Sequence, residues 1–321
     1  MYRKISAIVI PTIIAAGIIA YMLFRVWGDL LKALEHMVPE WLAVAVVICL
    51  AAWVLRGWRY RAILKNLGYS VKLAMSTACI FVSQTANVIV PARLGDFVRV
   101  FILRHEHSTT YSEGVSSLVV ERVFDIFTVA ILGALALPFI LEVPPWLYGI
   151  IIVPIVAILL FFLFLFCTGK CSAENRFFRI MLTMLHEIRK ASLSLRSLTL
   201  LGVSSIFIWL TDVFVCVAVV LMLGQTVPFP VIVLAIVVGN LVKAVPLTPG
   251  GMGTYELALA GVFTIAGVPW EMAFLIGFID HLIKNLVTLA GGVVSIYYFG
   301  DWVVPSIKSS FDSKMTGGDR I

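Results

Sequence analysis

Charged residues are scarce in this sequence. Only 13% of its 321 residues are charged, whereas 61% are hydrophobic, and a soluble domain carries about a quarter charged residues. A single hydrophobic core stops growing at roughly 250–300 residues, so a soluble fold of this length could not cover so much apolar surface. The surplus must face lipid. The composition therefore predicts an integral membrane protein and excludes a soluble one.

The sequence also lacks the motifs of common soluble catalysts and metal sites. It contains no Ser-His-Asp set, no phosphate-binding loop and no nucleotide-binding fingerprint. The five cysteines show no zinc or redox spacing, and the pair His105 and His107 has no clear third ligand. We therefore expect no metal and no cofactor, and any chemistry must take place in or beside the bilayer.

Acidic residues are fewer than basic ones. The net charge is +6, from 24 Lys and Arg against 18 Asp and Glu, a balance that in a soluble protein would raise the question of nucleic-acid binding. Here the basic residues cluster between apolar runs, as the positive-inside rule produces. We therefore expect no nucleic-acid partner.

Apolar runs of membrane-spanning length dominate the chain, since a span needs about 20 mainly apolar residues. Six full spans are predicted, at 5–24, 41–60, 118–140, 146–168, 199–223 and 272–298. The first follows Arg3 and Lys4 and is too long for a typical cleaved signal, so we interpret it as a retained signal anchor.

Two further apolar stretches, 74–104 and 231–267, are broken in the middle. The interruptions are Pro91-Ala-Arg-Leu-Gly95 and Pro246-Leu-Thr-Pro249-Gly-Gly-Met-Gly253, and clustered Pro and Gly should end a helix. Broken backbone survives at membrane depth only where protein or a wet cavity covers it. Each stretch is therefore predicted to be a re-entrant hairpin or, alternatively, two thin spans, which would make eight.

The charge of the connections orients the chain. Connections 56–73 and 169–198 carry net charges of +5 and +4, whereas 25–40 carries −1, and basic connections stay in the cytoplasm. Both termini are then cytoplasmic. We predict one transmembrane domain over 1–300 and a polar cytoplasmic tail over 301–321. The amphipathic segment within 169–198 is either a surface helix or a solvated linker with some helix.

The two broken stretches belong to an apparent internal repeat, with units at about 41–140 and 199–298. When Pro91 is set against Pro249, the segment from Glu121 to Asp125 falls within about a residue of Asp280 to Lys284. The predicted orientation makes the two hairpins enter from opposite sides, which indicates an inverted repeat with a binding site near the midplane. Chance is the alternative, because Pro and Gly are frequent in membrane helices.

Charges inside spans cost roughly 2.5–3.5 kcal/mol each and are functional candidates by default. In the first unit Arg93 and Arg99 flank a break, where a helix N-terminus would add positive potential, so this region suits an anionic headgroup. The alternative is that these charges form local ion pairs that stabilise the packing of the helices. The expected pairs are Asp96 with Arg99 and Arg122 with Asp125, and the two readings are compatible.

The second unit carries a matching set of candidates. Lys243 and Glu256 flank its break, and Asp280 lies one turn before Lys284, as a structural ion pair or a proton relay. The dipeptide Gly250-Gly251 either exposes backbone N–H groups to a ligand or only allows a tight turn. Asp212, in the middle of a span, is expected to turn toward a neighbouring helix.

The ordered set of these motifs resembles a known family. The segments Asn87-Val-Ile-Val-Pro91-Ala-Arg-Leu-Gly95-Asp-Phe-Val-Arg99, Glu121-Arg122-Val-Phe-Asp125 and Pro246 to Glu256 are similar to the lysylphosphatidylglycerol synthase transmembrane-region family, a flippase-like membrane domain. In multidomain relatives this region is linked to moving an aminoacylated phospholipid between leaflets, and archaeal relatives are associated with dolichol-linked sugar pathways. Only about twenty residues follow Phe299, so we expect no lysyl transfer by this chain alone.

The leading functional hypothesis is a multi-pass cell-membrane flippase for an anionic phospholipid or polyprenyl-phosphate-linked lipid, and not an enzyme. The alternatives are a membrane enzyme with Glu121 or Asp125 as general base, or an accessory scaffold for a separate soluble lipid-modifying enzyme. Membrane lipids are the expected partners, and the oligomeric state is left open. The candidate substrate-binding residues are Asn87, Arg93, Asp96, Arg99, Glu121, Arg122, Asp125, Lys243, Gly250, Gly251, Glu256, Asp280 and Lys284.

Overall fold

A computed structural model describes residues 37–90, 93–140, 144–167, 176–245, 248–300 and 302, with a few isolated positions before residue 37. Within these ranges the chain is helical, without a strand. The α-helices of this part of the chain are α1 (Glu40–Leu67), α2 (Leu73–Ile89), α3 (Gly95–His107), α4 (Tyr111–Ala136), α5 (Pro145–Cys167), α6 (Arg176–Ser192), α7 (Leu195–Met222), α8 (Phe229–Ala244), α9 (Thr254–Ile265) and α10 (Trp270–Phe299). The predicted span 5–24 and nearly all of the tail lie outside the described residues.

Four helices, α1, α5, α7 and α10, are long and apolar enough to cross a membrane. Helix α4 has 26 residues, about 39 Å at 1.5 Å per residue, which also reaches across the hydrocarbon core. It differs from the four by carrying three charges, Glu121, Arg122 and Asp125, near its middle. The all-α, polytopic fold predicted from the sequence is confirmed.

Both apolar stretches predicted to be broken are broken. Helix α2 ends at Ile89 and α3 begins at Gly95, and α8 ends at Ala244 while α9 begins at Thr254. The second break contains a short 3-10 turn at Pro249–Gly251. The two helices beside each break pack against one another, so each stretch is a helix–break–helix pair.

The two pairs stand at the centre of two similar groups of four helices. Helices α1 to α4 have 28, 17, 13 and 26 residues, and α7 to α10 have 28, 16, 12 and 30. The groups interlock reciprocally. Helix α1 packs on α7, α2 packs on α10, and α8 packs on α4, so each unit's first short helix lies against the other unit's last helix.

Helix α1 extends beyond the predicted span end at residue 60 and continues to Leu67. Arg56 and Arg59 therefore lie inside the helix, and Arg59 is buried at 1% exposure. Assigning both to the connection 56–73 was wrong, because the carboxylates of Asp212 and Asp125 hold these arginines within the bundle. The remaining connection is the short stretch 68–72, which begins where Gly68 ends α1 at a φ of 110°.

Part of the amphipathic segment forms helix α6, which packs against α4 and α1. Its residues Ile188 and Ala191 are buried, whereas Phe178, Ile180 and Met181 are exposed. Lys190 Nζ donates to the carbonyl of Leu67 over 3.2 Å, which fixes the end of α6 against the end of α1.

Candidate functional site

A cavity of about 150 Å³ lies between the two units, at the level of the two breaks. Its wall contains three aromatic side chains, those of Trp53, Trp209 and Tyr255. The charged side chains of the wall are basic Arg56, Arg93, Arg122, Lys243 and Lys284, and acidic Glu121, Asp125 and Asp212. A cavity with so many charges inside a helical membrane bundle suits a polar or charged ligand.

Asp96 organises the first unit's side of the cavity. Its carboxylate accepts a hydrogen bond from Asn87 Nδ2 at 2.9 Å, and Arg122 Nη2 donates to both of its oxygens, at 3.2 and 3.1 Å. Arg99 Nη2 lies 3.4 Å from the same carboxylate. Asp96 thus connects α2, α3 and α4 through three of the predicted site residues.

Behind this wall, two arginines are fully enclosed. Arg99 Nη1 donates to Glu121 Oε2 over 2.6 Å, and its guanidinium lies over the ring of Tyr60, 4.7 Å from the centroid. Arg59 Nη1 donates to Asp125 Oδ1, also over 2.6 Å. The structure therefore places Arg99, a predicted phosphate ligand, behind the cavity with its charge compensated.

The local ion pairs weighed as the alternative are present. Asp96 and Arg99 approach to 3.4 Å, and Arg122 Nη1 lies 3.7 Å from Asp125 Oδ2. Arg122 nevertheless reaches the cavity, since its side chain is 28% exposed. It is a wall residue whose charge is already shared between two carboxylates.

In the second unit, Lys284 is held by two acids. Its Nζ lies 2.9 Å from Asp280 Oδ2 and 3.3 Å from Asp212 Oδ2. Asp212 also lies 3.6 Å from Arg56 Nη2, so this mid-span carboxylate faces neighbouring helices, as expected. The Asp280–Lys284 pair predicted from the sequence is an ion pair in the structure.

Glu256, Lys243 and a histidine that the sequence analysis did not single out form a second cluster. Glu256 Oε1 lies 2.7 Å from His281 Nδ1, and Glu256 Oε2 accepts from the backbone N–H of Gly253 at 2.7 Å. On the other side of the ring, His281 Nε2 lies 3.0 Å from Lys243 Nζ. His281 and Glu256 are 1% and 2% exposed.

Arg93 and Lys243 differ from the other basic residues of the wall. Among the described residues, no carboxylate oxygen lies within 4.0 Å of either side chain. Arg93 Nη2 instead donates to the carbonyl of Lys243 over 3.2 Å, and Lys243 Nζ lies 5.4 Å from the ring centroid of Tyr255. In the part of the chain that the structure describes, two basic side chains without a carboxylate neighbour, one from each unit, thus meet where the breaks face each other.

The backbone at the breaks is specialised for this meeting. Arg93 has a φ of 52°, a left-handed conformation that is uncommon for a residue other than glycine and is often found at functional sites. Gly250 and Gly251 have φ of 60° and 80°. A β-carbon on Gly251 would collide with the Lys243 side chain, and one on Gly250 would touch the backbone of Val88. The glycines therefore permit both a tight turn and a close approach.

The two units place comparable groups at matching positions. Glu121-Arg122-x-x-Asp125 on α4 and Asp280-His281-x-x-Lys284 on α10 share the same spacing. In each unit the second residue contacts the acid in the first turn of the preceding short helix. Arg122 contacts Asp96 at 3.1 Å, and His281 contacts Glu256 at 2.7 Å. His281 could have been found in the sequence from its position opposite Arg122 when these two segments are aligned.

Other residues of the site had weaker signals. Arg56 and Arg59 lie near the end of an apolar run in the sequence. Charges at such a position are usually assigned to the connection that follows the span. Trp209 Nε1 donates to Asp125 Oδ1 at 3.1 Å, and Asn240 Nδ2 lies 3.4 Å from Asp212 Oδ2. Single polar or aromatic residues of this kind inside spans carry no distinguishing pattern.

Long apolar helices around a cavity of charged side chains define an integral membrane protein with an internal polar site. Residues 8–292 match the family model described as the lysylphosphatidylglycerol synthase TM region. The chain belongs to this family.

Similar proteins include a glycosyltransferase and membrane proteins of the group UPF0104. The chain is 31% identical to Glycosyltransferase AglD of Haloferax volcanii, with 88% of this chain and 53% of AglD aligned, so it spans about half the length of that relative. It is 24% identical to a UPF0104 membrane protein of Methanothermobacter thermautotrophicus, over 92% of this chain and 95% of that protein. A UPF0104 membrane protein of Methanocaldococcus jannaschii is 28% identical, over 66% of this chain and 92% of its own length.

Proposed function

We propose that this protein binds the anionic headgroup of a lipid in the cavity between the two units and moves that lipid between the leaflets of the membrane. The observation that carries the proposal is the position of Arg93 and Lys243, two basic side chains at the cavity without a carboxylate within 4.0 Å in the described residues. A phosphate between them would supply the missing negative charge.

The charge balance of the cluster supports an anion. Its basic members are Arg56, Arg59, Arg93, Arg99, Arg122, Lys243 and Lys284, seven in all, and its acidic members are Asp96, Glu121, Asp125, Asp212, Glu256 and Asp280, six in all. With neutral histidine, one positive charge is left over. An uncompensated charge away from water is costly, and guanidinium and ammonium groups are the usual phosphate ligands of proteins.

The arrangement of the units supports movement. We propose that the two four-helix groups are an inverted repeat, in which paired broken helices form a binding site near the midplane and alternate access between the two sides. Arg93 lies in the first break and Lys243 in the last turn before the second, and within the described residues neither has a carboxylate within 4.0 Å. Relative motion of the units would therefore change which side of the membrane reaches these two cations. Helix α2 packs on α10, and α8 packs on α4. We propose that the units move against each other at these two equivalent contacts.

The test is a leaflet-exchange assay in proteoliposomes with fluorescent phosphatidylglycerol, phosphatidic acid, polyprenyl phosphate and phosphatidylcholine. We expect faster exchange of at least one anionic probe than of phosphatidylcholine. Arg93→Met should slow that exchange about tenfold or more, because a hydrogen bond to a charged group is worth about 1.5–3 kcal/mol. Arg104→Met, on the exposed face of α3, is the matched control and should exchange at the wild-type rate. Exchange no faster than in empty vesicles for every probe would refute the proposal.

A second candidate function comes from AglD, which is named a glycosyltransferase. A membrane enzyme would need a general base, and Glu121 and Asp125 are two of the three acids in the cavity wall, beside Asp212. Both carboxylates accept short hydrogen bonds from buried arginines, at 2.6 Å from Arg99 and Arg59 respectively, so each is already engaged in a structural ion pair. Mass spectrometry of lipids from a deletion strain separates the two functions. A missing lipid species favours an enzyme, and unchanged species with altered leaflet exposure favour transport.

A further inference from the structure

We infer that binding of an anionic headgroup in the cavity is coupled to uptake of a proton by His281, through the hydrogen-bonded chain Lys243–His281–Glu256. This inference rests on the proposed function, because it requires an anion at Lys243. It adds to that function a proton-binding group and a route by which the pH difference across a membrane can act on the site.

The three side chains form one continuous chain of hydrogen bonds from the cavity into the protein. Lys243 lines the cavity, and its Nζ lies 3.0 Å from His281 Nε2. His281 Nδ1 lies 2.7 Å from Glu256 Oε1, and the other oxygen of Glu256 is held by the N–H of Gly253 at 2.7 Å. Glu256 is therefore fixed as the acceptor at the inner end of the chain.

The short contact between Lys243 and His281 limits the protons that the two residues can hold together. An ammonium group has donors and no acceptor, so a charged Lys243 requires a lone pair on Nε2 and a neutral imidazole that donates its Nδ1–H to Glu256. If the shared proton moves to Nε2, the result is an imidazolium beside a neutral amine. In both states one proton lies between Nζ and Nε2, and adding a second would remove the hydrogen bond and leave two cations in contact.

An anion in the cavity removes this limit. When the ammonium group of Lys243 turns to a phosphate oxygen, its hydrogen bond to Nε2 breaks and the lone pair of Nε2 becomes available. A proton from the bulk solution, released by hydronium or by a buffer acid, then forms the second N–H bond of His281. The resulting imidazolium lies between the Glu256 carboxylate and the bound phosphate, and both negative groups favour the charged form.

Within the described part of the chain, the titratable and charged groups around His281 come from four helices. They are Lys243 on α8, with Arg93 beyond it; Tyr255 and Glu256 on α9; Asp280 and Lys284 on α10 itself; and Asp212 on α7, which pairs with Lys284. The charge of Lys284 is compensated by its two carboxylates, so Lys243 and Glu256 dominate the surroundings of the ring. An unperturbed imidazole has a pKa of about 6.5, so histidine is the side chain of this set that is suited to proton exchange near neutral pH.

The comparison of the two units supports a special role for this position. The first unit has Arg122 where the second has His281, and each contacts the acid in the first turn of the preceding helix. An arginine keeps its charge at every physiological pH, whereas a histidine exchanges a proton. The repeat therefore combines one permanent cation with one that can be switched.

The test is isothermal titration calorimetry of the detergent-solubilised protein with dihexanoyl phosphatidylglycerol, a phosphodiester whose own charge is constant between pH 6 and 8. Titrations in two buffers with different ionisation enthalpies give the number of protons taken up per lipid bound. We expect the wild-type protein to take up a fraction of a proton that approaches one, and its affinity to rise by up to about tenfold for each unit decrease in pH. His281→Gln, whose amide oxygen can still accept from Lys243, should bind without proton uptake. His186→Gln, on the exposed face of α6, should behave as the wild type.

The outcomes separate this inference from the proposed function. Binding by the wild-type protein with no proton uptake at any pH from 6 to 8 overturns the coupling and leaves lipid binding intact. Proton uptake that persists in His281→Gln also overturns it. Absence of any binding by the wild-type protein to the phosphodiester, and equally to polyprenyl phosphate, overturns both. Because the wild-type measurement alone can reject the coupling, the test does not depend on the variant folding.

Discussion

Arg59 and Asp125, 66 positions apart in the chain, form a buried ion pair in which Arg59 Nη1 donates to Asp125 Oδ1 over 2.6 Å. The same Arg59 nitrogen donates to Ser205 Oγ at 2.7 Å. One guanidinium therefore joins α1, α4 and α7 in the interior of the bundle, where its side chain is 1% exposed. A cation in this position is tolerable only while its acidic partner is present.

Replacing Arg59 should consequently destabilise the fold more than a surface substitution does. We expect Arg59→Met to lower the free energy of unfolding by about 3–5 kcal/mol, because it leaves the carboxylate of Asp125 buried with weaker partners. Arg61→Met, two residues along the same helix on an exposed position, should change it by less than about 0.5 kcal/mol. Unfolding in mixed micelles with increasing dodecyl sulfate measures both values. Equal effects for the two variants would show that the buried pair does not stabilise the bundle.

A glycine contact between the units gives a second prediction. A β-carbon on Gly291 in α10 would collide with the ring of Phe81 in α2, a ring that is buried and stacked on Trp53 at 4.6 Å between centroids. We expect Gly291→Ala to cost about 1–3 kcal/mol of unfolding free energy, as overpacking of a core does. The same substitution at Gly202 in α7, where nothing lies within 4 Å, should be neutral or stabilising, because alanine favours a helix over glycine by about 1 kcal/mol. A smaller loss for Gly291→Ala than for Gly202→Ala would contradict the close packing of α2 on α10.

Tyr255 gives a third prediction, which concerns a single hydroxyl group. Its Oη donates to Asp280 Oδ2 over 2.8 Å, and Asp280 is fully buried. We expect Tyr255→Phe to lower the unfolding free energy by about 1.5–3 kcal/mol, the usual value for a hydrogen bond to a charged group. Tyr148→Phe, at a side chain that is 45% exposed, is the control and should have no measurable effect. If Tyr255→Phe unfolds with the wild-type free energy, the hydrogen bond from Lys284 to the Asp280 carboxylate is sufficient without that of Tyr255.

Much of this fold could be predicted from the sequence because its signals are local. Apolar runs of about 20 residues mark helices, and Pro and Gly clusters mark the two breaks within a few residues of where the helices end. The pair Asp280 and Lys284 is visible for the same reason, since residues four positions apart share a face of a helix. The position of α6 within the segment 169–198 likewise follows from helical periodicity.

The site was less predictable because its decisive contacts join distant parts of the chain. The sequence cannot show that Glu121 and Asp125 compensate Arg99 and Arg59, whereas Arg93 has no carboxylate within 4.0 Å among the described residues. In the sequence all of these residues look alike, as charges inside the membrane. Which cation is available depends on packing between α1, α3 and α4. His281 was missed for a related reason, because one histidine in an apolar helix gains significance only beside Lys243 and Glu256.

The orientation of the two units remains the prediction on which the transport mechanism depends most. In a cysteine-free background, single cysteines at Glu106, in the last turn of α3, and at Ala266, just after α9, would mark the end of the second helix of each pair. Both positions are exposed. We expect a membrane-impermeant maleimide to label Glu106→Cys only after the membrane is opened, and to label Ala266→Cys in intact cells. Lys72→Cys and Thr226→Cys, in the exposed connections that precede the pairs, are the matched controls for the inner and outer sides.

The reason for this expectation is geometric. A helix–break–helix pair whose two helices pack together returns the chain to the side from which it entered, so Lys72 and Glu106 should label alike, and Thr226 and Ala266 should label alike. Opposite labelling within one pair would replace the hairpin by two thin spans. Equal labelling of Glu106 and Ala266 would make the two units parallel, and their breaks could then no longer alternate between the two faces of the membrane. Only labelling of the two pairs from opposite sides fits a site in which Arg93 and Lys243 receive a headgroup from one leaflet and release it to the other.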